Sequence, residues 1–212
     1  MPLLGIKTLN QNTTLYVWKI TETFDELFRS VALKDVSLAR LEGMKSEAHQ
    51  KGFLSVRRLL MEAGYTDFDL YYDAYGKPHL NDGTHISVSH SHECSVIVLS
   101  HQVVGADLEL LKEKTLHIAP RFMETFHLNQ LSHENQIKKA TVIWGIKESV
   151  FKIKNEKGIS FPEHIFEKPF RLEDKKAIAE LQFNDHVEYF DIQFDFIDNY
   201  VFVCAFNSGE KK

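Results

Sequence analysis

The chain is short of the residues that mark several protein classes. Only two of its 212 residues are cysteine, Cys94 and Cys204, each inside an apolar run (94–99 and 201–206). That excludes a disulfide scaffold and points to two buried, reduced thiols. Proline is sparse as well, at five, and no proline- or serine-rich linker or low-complexity stretch occurs. No apolar run nears the roughly 20 residues of a membrane-spanning helix. The opening residues Met1-Pro2-Leu3-Leu4-Gly5-Ile6-Lys7 lack a charged head followed by a long apolar stretch. A cytoplasmic protein with no membrane partner is expected. Basic excess is missing too: 25 Lys and Arg face 30 Asp and Glu, a net charge of −5. No general positive field attracts nucleic acid. Gly-x-Ser-x-Gly, Gly-x-x-x-x-Gly-Lys-Ser/Thr and Gly-x-Gly-x-x-Gly are all absent. This argues against a serine-hydrolase elbow, a phosphate loop and a dinucleotide fingerprint. His92 and His101 have no partners at zinc-ligand spacing.

What is present is an ordinary globular composition, 43% hydrophobic and 26% charged, with 16 phenylalanines. The length suits one large domain or two small lobes. Alternating or β-branched runs predict strands over 15–20, 70–72, 85–90, 95–100 and 103–110. Helical spacing predicts a short helix over 23–30 and one long helix over 38–63. Further helices are expected over 118–126 and 136–154, followed by strands over 178–184, 187–196 and 200–207. Strand, helix and strands thus occur in the same order twice. The fold expected is α+β: two similar, pseudo-twofold-related lobes, each a small, mostly antiparallel sheet with a long helix packed on it. The lobes would join near residue 102, giving 1–102 and 103–212.

Two acidic motifs carry the chemistry. In Val104-Gly105-Ala106-Asp107-Leu108-Glu109, strand alternation points Asp107 and Glu109 to one face. Two carboxylates on one face repel each other unless they are solvated or share a cation, and Mg²⁺ takes such oxygen ligands together with phosphates. In Trp144-Gly145-Ile146-Lys147-Glu148-Ser149-Val150-Phe151-Lys152, Ile143, Ile146, Val150 and Ile153 form the core stripe. Glu148 and Lys152 lie one turn apart beside it. Taken alone, they read as a surface ion pair. Ser89 and His90 end a strand, Arg57 offers a planar fork for a phosphate, and Lys77 and Pro78 sit in a turn.

The order Gly76-Lys77-Pro78, Ser89-His90-Ser91, Gly105-x-Asp107-x-Glu109 and Trp144-x-x-Lys147-Glu148-x-x-x-Lys152 resembles the 4′-phosphopantetheinyl transferase superfamily, most closely its two-lobed Sfp-type branch. The likeness spans about residues 40–162 and includes Gly158-Ile159-Ser160-Phe161-Pro162. It implies an enzyme that moves 4′-phosphopantetheine from coenzyme A to a serine of an acyl or peptidyl carrier protein. It implies Mg²⁺ held by Asp107, Glu109 and Glu148, with Asp107, Glu148 and Lys152 as catalytic residues. Lys152, Ser89, His90 and Arg57 would serve the phosphates, and Lys77 and Pro78 would lie by the adenine. The active site would lie in the cleft between the lobes of a monomer. Two positions depart from the family pattern: His92 stands where glycine is usual, and His127 where a loop glutamate is usual. The departure at His127 motivates an alternative, a weakened member that binds coenzyme A or a carrier without efficient transfer.

Overall fold

The computed structural model describes residues 2–209. The chain divides into two compact units, Met1–Gln102 and Val103–Lys212. Each is a mixed α+β unit, and every strand pairing among the described residues is antiparallel.

The first unit runs β1 (Leu3–Asn10), β2 (Thr13–Lys19), α1 (Phe24–Arg29), α2 (Asp35–Glu42), α3 (Glu47–Glu62), β3 (Leu70–Tyr72), β4 (Pro78–Leu80), β5 (His85–Ser91) and β6 (Cys94–Ser100). Its main sheet has the order β1-β2-β6-β5, and β3 pairs with β4. Every residue of β6 is buried, which explains its continuous apolar run. Its two serines are matched inside the core: Ser95 Oγ lies 2.7 Å from Ser55 Oγ, and Ser100 Oγ lies 2.8 Å from Thr13 Oγ1. The single helix expected over 38–63 is in fact two. Gly43 caps α2 and Ser46 opens α3 in extended backbone, so the periodicity continues across a break. Strand β1 escaped the sequence reading because Leu4 and Ile6 remain exposed and no buried face marks it.

The second unit runs β7 (Val104–Leu110), α4 (Lys114–Ile118), α5 (His133–Lys154), α6 (Phe161–His164), β8 (Ile165–Glu167), β9 (Lys176–Phe183), β10 (His186–Ile197) and β11 (Tyr200–Gly209). The sheet order is β7-β11-β10-β9-β8. Asn184 and Asp185 both adopt positive φ, at 51° and 61°, in the two-residue turn between β9 and β10. The helix expected over 118–126 is instead α4 followed by short 3₁₀ turns at Ala119–Arg121 and Thr125–Leu128. Pro120 cannot donate into a helical ladder, and Phe122 and Met123 turn inward to cover α5 at Ala140 and Ile143. The repeated order is real at the level of topology. In each unit a first strand (β2 or β7) leads to a helix (α3 or α5). A hairpin (β5–β6 or β10–β11) follows, and its last strand pairs with the first.

Helix α5 is buried on two sides, against the sheet through Val142, Ile146 and Val150 and against the 119–128 segment through Ala140 and Ile143. Ser132 caps its start and Asn155, in left-handed backbone, ends it. Lys147 of the Trp-x-x-Lys-Glu motif is 2% exposed. Its ammonium donates to the Phe161 carbonyl at 3.3 Å and to the Ile165 carbonyl, and lies 3.3 Å from Glu167 Oε2. Burial pushes its pKa down, and Glu167 opposes that shift. Lys147 thus ties α5 to α6 and β8.

The approach of α5 to β7 depends on a missing side chain. A Cβ at Gly105 would sit 2.0 Å from the Ser149 carbonyl oxygen, a backbone atom that cannot step aside. Gly105→Ala should therefore lower unfolding free energy by about 3 kcal/mol or more, read by urea denaturation. Lys139 supplies a pH test. It is nearly buried, with its ammonium over the Phe170 ring, and burial lowers its pKa to about 8. Between that value and the unfolded value of about 10.4, the unfolded chain binds more protons, so this residue makes stability rise with pH. Relative to Lys139→Met, the wild-type urea midpoint should climb between pH 8 and pH 10 and run parallel below pH 8.

Candidate active site

The acidic strand and the Trp-Lys-Glu helix meet along one line. On β7, Gly105, Asp107 and Glu109 share the face that α5 covers. Gly105 lies under Ser149 and Ile153, and Asp107 faces Gly145 and Lys152. Glu109 faces Trp144. A Cβ at Gly145 would stand 2.6 Å from Val203 Cγ2 and 3.8 Å from Asp107 Oδ2. Both glycines of the two motifs therefore serve this contact. Lys152 Nζ donates to Asp107 Oδ1 at 2.8 Å and to the Ala106 carbonyl at 2.9 Å. Trp144 Nε1 donates to Glu109 Oε1 at 3.1 Å.

The carboxylates act on one another. Burial raises the pKa of Glu148 to about 7, with the charges of Asp107 and Glu109 adding to the rise and Lys152 opposing it. Burial also raises Glu109, followed by the charge of Asp107, while the indole bond and Lys152 pull it back. Asp107 is 4% exposed; Glu109, Glu148 and Lys152 are half-buried. Among the described residues, no three His, Cys, Asp or Glu side chains converge into a ready-made metal cage. The donor chemistry nevertheless fits a hard cation. The oxygens are clustered and mutually repelling, and Mg²⁺ typically needs only one or two carboxylates beside substrate phosphates.

In the first unit, Asp73 organises the turn that carries Lys77 and Pro78. It accepts from the amides of Tyr75 at 2.8 Å and Lys77 at 2.9 Å, and its other oxygen lies 3.1 Å from His79 Nε2. The His79 bond, followed by the Lys77 amide, lowers the pKa of Asp73. Gly76 closes the turn at φ 83°. Ser89 is buried on β5, and His90 is exposed with its ring laid on α3. Gly52 makes room for that ring: a Cβ there would meet His90 Nδ1 at 2.8 Å. A glycine inside an otherwise regular helix was the signal for this contact. His92 takes the left-handed conformation, φ 51°, that glycine favours, so the departure at this position keeps a glycine-like turn. His127 and Glu124 line a cavity of about 300 Å³ with Lys147 and Glu167.

Arg57 is a correction. Its side chain is 2% exposed, and its Nε donates to the fully buried Asp67 at 2.9 Å. Its guanidinium carbon lies 3.4 Å from the centre of the Phe53 ring. Asp67 also accepts from the Lys34 amide and the Ser37 hydroxyl, joining α2 to α3. Arg57 therefore holds the core of the first unit and is withdrawn from the phosphate contacts. Breaking this buried pair with Arg57→Met should cost about 3–5 kcal/mol in urea unfolding, whereas Arg58→Met, a surface pair with Glu62, should cost less than about 1 kcal/mol.

No family model matches the chain. Individual proteins do. Over 95 residues it is 34% identical to 4′-phosphopantetheinyl transferase gsp of Aneurinibacillus migulanus, covering 43% of this chain and 40% of that one. Over 128 residues it is 28% identical to 4′-phosphopantetheinyl transferase Sfp of Bacillus subtilis (strain 168), covering 56% and 57%. Over 151 residues it is 27% identical to 4′-phosphopantetheinyl transferase ffp of Bacillus subtilis, covering 66% and 67%. The chain thus matches about half the length of the first two relatives. Over part of its length the chain is thus similar to several proteins named 4′-phosphopantetheinyl transferase, among them Sfp.

Proposed function

We propose that this protein transfers 4′-phosphopantetheine from coenzyme A to a serine hydroxyl of an acyl or peptidyl carrier protein, with Mg²⁺, releasing 3′,5′-ADP. The observation that carries this reading is the coupled cluster of Asp107, Glu109, Glu148 and Lys152, in a chain related to enzymes that bear this name. In the step, the serine oxygen bonds to the phosphorus that bears pantetheine. The bond from that phosphorus to the bridging oxygen breaks, and the electron pair leaves with 3′,5′-ADP. Asp107, Glu109 and Glu148 would hold the metal, which when bound neutralises charge on the diphosphate. Lys152 adds a fixed cation beside the leaving oxygens. Glu148, or a water that it orients, takes the serine proton. Lys77 and Pro78 are assigned to the adenine side, and Ser89 and His90 to the phosphates. No helix among the described residues is long and apolar enough to cross a membrane. We assign the protein to the cytoplasm and expect it to act as a monomer.

A second reading, binding of coenzyme A or a carrier without efficient transfer, is favoured by His127 in place of the loop acid. One experiment separates the two. Carrier proteins are incubated with the full chain, coenzyme A and Mg²⁺ and weighed intact, with and without EDTA. A gain of one phosphopantetheine that EDTA removes is expected, and Asp107→Asn should slow it by about 10²–10³-fold while leaving the chain folded. Coenzyme A binding with no gain on any carrier class would select the second reading.

A further inference from the structure

Three polar side chains of α5 are arranged in a stripe. Trp144, Glu148 and Lys152 are spaced by four and share one helix face. The two outer members each donate to one strand carboxylate, Lys152 to Asp107 and Trp144 to Glu109. Glu148, the acceptor between them, feels the charge of both. Lys152 is an expected member of the set; Trp144 has no role assigned so far beyond packing. Its indole is clamped edge-on by two rings, Phe122 at 5.1 Å and Phe161 at 5.6 Å between centroids. Phe161 is itself braced by Phe151 at 5.9 Å. A rigid indole therefore holds a side chain that has several rotamers to lose. Fixing a glutamate costs rotamer entropy, and a bond that fixes it beforehand removes that cost from ligand binding.

We propose that Trp144 is a positioning residue for Glu109: its N–H fixes one carboxylate oxygen and so orients the other toward the place where Asp107, Glu109 and Glu148 would hold a divalent cation. This rests on the reading above that Glu109 is a metal ligand. An indole suits the task because it is a neutral donor that accepts nothing. A lysine at 144 would orient the carboxylate too, but its charge would repel the cation. Outer partners of this kind typically contribute about 10- to 100-fold to metal affinity. A tryptophan that only filled space would contribute to folding and not to metal binding.

The test uses the full chain in three forms: wild type, Trp144→Phe and Glu109→Gln. Mn²⁺ is titrated by calorimetry, and the indole ¹H–¹⁵N resonances are followed. Only two tryptophans, Trp18 and Trp144, contribute those signals, and Trp144→Phe assigns them. Trp144→Phe should keep the aromatic clamp and the metal-free urea midpoint, while its Mn²⁺ dissociation constant rises about 10- to 100-fold. In the wild type, Mn²⁺ should perturb the Trp144 indole signal. Glu109→Gln should shift that signal without metal, a readout that does not require the Trp144 variant to fold. Trp144→Phe binding as tightly as wild type, while Glu109→Gln has lost the ion, overturns the inference and spares the functional reading. Glu109→Gln binding as tightly as wild type, or a wild type that binds no Mn²⁺, overturns the metal assignment and the inference with it.

Discussion

The site depends on how closely one helix can lie on one strand. Gly105 lets the backbone of β7 pass under the Ser149 carbonyl, and Gly145 lets α5 settle over Val203 and Asp107. A methyl group at either position would lift the helix off the sheet. The reach from Lys152 to Asp107 and from Trp144 to Glu109 would then be lost. The glycines of the two motifs are thus explained by van der Waals distance, not by turn geometry, since neither has positive φ. Lys147 fixes the same helix from its other side, so that α5 is held between β7 and β8 with little freedom to rotate. Rotation would matter, because 100° per residue separates a buried structural lysine at 147 from a site-facing glutamate at 148.

The cluster under that helix sets three carboxylates close enough to repel one another. Lys152 opposes the repulsion, yet burial and repulsion still show as upward shifts at Glu148 and Glu109. Such local conflict is costly to folding and is retained where a ligand relieves it. Lysine and indole support the two strand carboxylates from outside, and burial raises the pKa of Glu148 to about 7.

The first unit contrasts in its use of charge. Arg57 and Asp67 look equally functional as residue types, yet both are sealed in the core, where one carboxylate gathers Arg57, Ser37 and the Lys34 amide. The exposed chemistry of that unit lies elsewhere, at His90 on its glycine seat and at the turn that Asp73 shapes around Lys77. His92 keeps the left-handed backbone despite its side chain, so the hairpin after β5 keeps its form at a local conformational cost.

Periodicity was legible wherever one face is buried. The central strands, the long helix of the second unit and the acidic pair on β7 follow from alternation and helical spacing alone. Motif order was legible in a different way, as a resemblance to a known family. What remained hidden depends on partners far along the chain. Asp67 sealing Arg57, Pro120 and Phe122 turning an apparent helix into a wrap around α5, and Phe122 and Phe161 clamping Trp144 onto Glu109 are all long-range choices. A sequence declares the donors and acceptors that a residue carries. Only the tertiary structure decides which of them are desolvated together, and desolvation turns an arginine into core and sets a tryptophan against a carboxylate.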